Sequence, residues 1–126
     1  MDLDYIFSKL KAVLEKHSSG LDTFNEFVNS RAKVKKDSYH LCAKHETKIY
    51  EKKHKVFLAG IIKQKSYVGF YFSPIYSDKK EFKLSDELKR SLHGKTCFYI
   101  KNTSLIDQVE ELLIKGKRLY NERGWI

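Results

Sequence analysis

The sequence predicts an α+β domain: a two-layer sandwich in which an antiparallel sheet of four to five strands carries helices on one face. Three observations lead there. Both ends of the chain repeat apolar residues at helical spacing. The middle holds two apolar runs, 55–64 and 66–72, too short for helices and joined by a brief polar link. The length of 126 residues and hydrophobic fraction of 41% suit a single core, so residues 1–126 read as one domain.

In order, Leu3, Ile6, Phe7, Leu10, Val13 and Leu14 mark the buried stripe of a first helix, with Asp2 and Asp4 at its positive end and Ser18-Ser19-Gly20 stopping it. Thr23 and Glu26 form a capping-box pattern that predicts a second, short helix carrying Phe24, Phe27 and Val28. Residues 31–37 read as a charged connection. Residues 38–43 predict a strand with Tyr39 and Leu41 on one face, and His45–His54 a polar loop. Lys55–Gln64 and the run from Ser66 predict an antiparallel hairpin, with Gly60 and Gly69 leaving room for close approach of a ring or backbone. A charged turn follows Pro74. Ser85 caps a helix through Leu92, Gly94 supplies its left-handed end, and Lys95–Lys101 is another strand. Ser104, with Asp107 in the capping-box position, starts a last helix whose buried stripe is Leu105, Ile106, Val109, Leu112, Leu113, Gly116 and Tyr120.

The formal charge of +9 is concentrated: residues 31–65 hold eleven Lys/Arg against three Asp/Glu. That asymmetry favours an anionic ligand or an acidic protein partner near this segment. Two cysteines, Cys42 and Cys97, match a reducing compartment, and the acidic MDLDYIF start lacks the pattern of a secretory signal. The longest apolar run, Val56–Ile62, is far below the roughly 20 residues of a membrane span. The expectation is a cytoplasmic protein without a membrane partner.

The stretch SYVGFYFSPIY places Tyr67, Val68, Phe70, Tyr71 and Phe72 on both faces of one strand. Helices cover one face of a two-layer sandwich, so the other face is either covered by a partner, a second copy included, or open as an aromatic floor. The ligand-face candidates are Tyr67, Gly69, Tyr71, Phe72 and Tyr76 with Lys63 and Lys65. His40, Cys42 and His45 form the one loose group with metal-ligand chemistry, short of the four closely spaced ligands of a structural zinc site. HGKT, 93–96, lacks the earlier glycine of a phosphate-binding loop, Lys89 standing there, and a strand follows it. KSYVGFYF shares the basic start and aromatics of an RNA-recognition strand but has Ser66 where glycine belongs. Cys97 lies mid-strand, no serine sits on a glycine elbow, and Glu111 has Lys115 for an ordinary helical pair. No catalytic constellation emerges.

At YVGFYFSPIY, LSDELKRSLHGKTCFYIKN and GKRLYNERGW, residues 38–126 resemble the YdhG-like family (domain of unknown function 1801). The resemblance implies a small bacterial cytoplasmic protein with a frataxin-like fold, and iron as a cargo, since an intracellular iron chaperone is described in that family. The carboxylates available for iron on the first helix are Asp2, Asp4 and Glu15, interspersed with Lys9, Lys11 and Lys16. No other cofactor is implied. The expected function is a non-enzymatic binding module using the aromatic sheet face beside basic residues 44–65, with iron or metal binding and weak single-stranded nucleic-acid binding as alternatives.

Overall fold

In the computed structural model, which describes residues 2–26, 37–49 and 51–126, the chain opens with helix α1 (Leu3–Lys16). Asp2 caps it, its carboxylate accepting from the Tyr5 N–H at 3.0 Å. Gly20, at φ +79°, turns the chain into strand β1 (Leu21–Glu26). This corrects the helix expected at Thr23. Pairing with the next strand supplies the backbone partners that a one-turn helix would lack. Phe27 and Val28, and the connection up to residue 36, lie outside the described residues.

Strand β2 (Asp37–Ala43) is followed by a small separate hairpin, β3 (Thr47–Ile49) and β4 (Lys52–His54), where a loop was expected. Glu51, at φ +71°, takes the left-handed position of its turn. The sequence hides this hairpin because its three-residue strands are short and polar apart from Ile49, which among their described residues is the one packed against the core. Strands β5 (Phe57–Lys63) and β6 (Val68–Phe72) form the expected antiparallel hairpin.

Pro74 then starts a short helix, α2 (Pro74–Ser77), in place of the expected turn, its fixed φ fitting the first helical position. Ser85 caps α3 (Asp86–Ser91) through the Leu88 N–H. That helix ends one residue early, because Leu92 and His93 form the short strand β7 against β8 (Cys97–Ile100). Gly94 is left-handed, at φ +70°, as expected, but it serves the tight β7–β8 connection. Helix α4 (Ile106–Glu122) follows a 3-10 turn, Thr103–Leu105, capped by the Asn102 side chain, not by Ser104.

Among the described residues the main sheet has six strands in the order β1-β2-β5-β6-β8-β7, all neighbours antiparallel, so the α+β class holds with more strands than the four to five expected. Directly opposed residues in such ladders share a face. Tyr39, Ile61, Phe70 and Phe98 form one row, and Leu41, Ala59 and Phe72 another, all buried. They meet Ile6, Leu10 and Leu14 of α1 and Val109 and Leu113 of α4 in one continuous core. Helix α4 comes so close that a Cβ on Gly116 would stand 2.5 Å from the Phe72 ring. Both long helices therefore lie on this single face.

Candidate functional site

The opposite face of the sheet carries the other parity: Ser38, His40 and Cys42 on β2, Gly60 and Ile62 on β5, Gly69 and Tyr71 on β6, Cys97 and Tyr99 on β8, and His93 on β7. Phe24 opposes His40 and extends the row onto β1, 47% exposed. Its rings form three groups. His40 and Phe57 tilt against each other at 6.0 Å. Tyr71 lies over Gly69, its ring edge 2.9 Å from where a Cβ would be. Tyr67, Tyr99 and His93 form a ladder of near-parallel rings with centroids 3.8 and 3.9 Å apart, running from the residue before β6 over β8 to β7. Tyr67, Tyr71 and Tyr99 are half-buried and His93 is exposed.

Both strand glycines do what their lack of a side chain permits. The His40 imidazole occupies the position of a Gly60 Cβ, as Tyr71 does over Gly69. The sheet is thus paved by rings lying against its backbone rather than projecting from it.

Two thiols and two phenols of this face hold their protons more tightly than usual. Burial raises the Cys97 thiol, against the pull of the Tyr71 hydroxyl bonded to it. Burial also raises Cys42, helped by the Asp22 carboxylate and opposed by Lys55. Tyr67 is raised chiefly by its hydrogen bond to Tyr99, and Tyr71 by burial. Uncharged thiols and phenols are poor nucleophiles and bases.

His40 is held below its ordinary value of 6.5 by burial. The unfolded chain then takes up a proton at a pH where the folded chain does not, so stability present above about 6.5 is lost as pH falls toward the folded value. Urea denaturation at stepped pH between about 7 and 5 should show decreasing stability, and His40→Gln should flatten that profile. A profile unchanged by the substitution would remove His40 as its source.

Of the expected face residues, Tyr67, Gly69 and Tyr71 lie together as the parity predicts. Phe72 does not: it has the opposite parity and is fully buried beneath α4. Tyr76 is 62% exposed on α2 with the Lys95 ammonium over its ring. Lys63 points to the helix side, where it pairs with Asp4 of α1 and lies 4.0 Å from Asp37. Lys65 is exposed in the β5–β6 turn.

The metal candidates separate. His40 and Cys42 share the paved face, but the His45 ring contacts the Gly124 carbonyl at 3.1 Å, beyond the end of α4. Among the described residues no three His, Cys, Asp or Glu side chains are grouped to hold a metal ion. Of the helix carboxylates, Asp4 is engaged by Lys63.

Sequence reasoning missed Tyr99, His93, Phe57 and Phe24 as members of this face. For Tyr99 a signal exists: in KTCFYIK, residues 97, 99 and 101 share a parity opposite to that of apolar Phe98 and Ile100. No helix among the described residues is long and apolar enough to cross a membrane. No protein-family model, curated protein or solved structure matches the chain.

Proposed function

We propose that this chain is a non-enzymatic cytoplasmic binding module whose ligand lies on the helix-free face of the sheet, over Tyr67, Tyr71, Tyr99 and His93. The Tyr67–Tyr99–His93 ladder carries the reading: three stacked rings, none fully buried, on a face that neither long helix covers. The protonated thiols and phenols support recognition over catalysis. The exposed lysines of residues 44–55 add positive potential along one side, which supports an anionic ligand.

An aromatic sulfonate, 8-anilinonaphthalene-1-sulfonate, tests the face. The folded chain should enhance its fluorescence, and Tyr67→Leu combined with His93→Ala should weaken that binding about fivefold or more while the protein keeps a cooperative melt. Native protein that leaves the dye dark, or a variant that binds it equally well, would count against the proposal. So would a variant that no longer folds, because the rings would then be structural.

A further inference from the structure

We infer that the ligand of this face is single-stranded nucleic acid, an assignment that rests on the binding-face reading and names its partner. At the sheet edge the ring ladder opens into a cleft of about 170 Å³ whose walls include Arg90, His93, Tyr99 and Lys101. Neither Arg90 nor Lys101 forms an ion pair among the described residues. The cleft's carboxylate, Glu87, accepts a hydrogen bond from the Ser104 hydroxyl at 2.9 Å, which partly occupies it.

A planar base and an adjacent phosphate match the two halves of this site. His93 is stacked on Tyr99 through one ring face and is exposed, so a base can extend the ladder on its far side. The ladder's two ring–ring contacts already lie near base-stacking separation, with centroids 3.8 and 3.9 Å apart. Stacking of this kind tolerates any base, and backbone phosphates add a salt-sensitive contribution. Half-buried Tyr71 and exposed Phe24 are further rings on this face, while His40 between them is buried and offers no stacking surface. The overall charge of +9 favours the same polyanion. An acidic protein would be drawn by the cations but has no use for a ring ladder.

The experiment is fluorescence anisotropy of a labelled oligothymidylate of about ten nucleotides with the full chain, in parallel with the dye assay. Affinity should fall on the order of tenfold between about 50 and 200 mM salt. Arg90→Gln and Lys101→Gln should each reduce the slope of log affinity against log salt by about one. His93→Ala, at an exposed position, should weaken binding about tenfold and leave that slope unchanged. If the dye binds but the oligonucleotide does not at the lower salt, the nucleic-acid assignment is wrong and the binding face stands. If polyglutamate displaces the dye and the oligonucleotide fails to, the partner is an acidic protein. Oligonucleotide binding that all three variants leave unchanged would overturn the site, and silence of both probes would remove the face itself.

Discussion

Phe72→Ala is expected to lower folding stability by about 3–5 kcal/mol, the range for deleting a large ring from a packed core. Phe72 has no exposed surface, and its ring lies 5.4 Å from that of Phe70 and edge-on to Phe82 at 5.5 Å. It also fills the space left by Gly116, so truncation removes contacts from the sheet and from α4 together. Neither neighbour can collapse easily into the gap, since a strand backbone bounds one side and a helix backbone the other. For a domain with roughly 5–15 kcal/mol in total, a loss of this size takes a large part of the margin. Urea or guanidinium denaturation measures it. Tyr71 is the control, one residue earlier on the same strand and on the other face: its truncation should cost clearly less. Equal losses at the two positions would mean that the paved face is as sealed as the core.

That contrast also shows what could be read from the chain. The long helices were legible because α1 and α4 bury single stripes at the helical period, and β5 and β6 because their apolar runs are too short for anything else. The run at 67–72 is apolar on both faces, and parity divides Tyr67, Gly69 and Tyr71 from Val68, Phe70 and Phe72. Including Phe72 among ligand-face residues ignored that division. Lys63 follows the same division: two residues on from Ile61, it shares the parity of the helix-side row, and there it pairs with Asp4. Strand β1 was hidden by Thr23 and Glu26, whose capping-box spacing is a local signal overruled by pairing with β2. His93 had no periodicity to read, because β7 contains only two residues. The cleft was illegible for a deeper cause: Arg90 and Lys101 come from different elements and meet only through the β7–β8 pairing.

The second large effect concerns the end of α4. The Arg123 guanidinium donates through Nη1 to Asp78 Oδ2 at 2.7 Å and through Nη2 to Oδ1, while the Ser77 hydroxyl donates to Oδ2 at 2.9 Å. Ser77 also bonds the hydroxyl of buried Tyr120 at 2.8 Å, and Arg123 lies over the Trp125 ring. Asp78 has only 3% of its side chain exposed, against 38% for Arg123. Removing the cation leaves a buried carboxylate with one hydroxyl, a situation that costs about 3–5 kcal/mol when both partners are buried. The partial exposure of Arg123 reduces this, so Arg123→Met is expected to cost about 2–3 kcal/mol. Asp78→Asn combined with Arg123→Met removes the stranded charge along with its partner. The double variant should therefore be more stable than the sum of the single losses implies, by about 1–2 kcal/mol. Raising salt from about 0.1 to 1 M should change the coupling little, since a carboxylate this buried is poorly screened. Coupling that vanishes in high salt would make the pair an ordinary surface contact, and α2 would then be held to α4 by Tyr120 and its apolar neighbours alone.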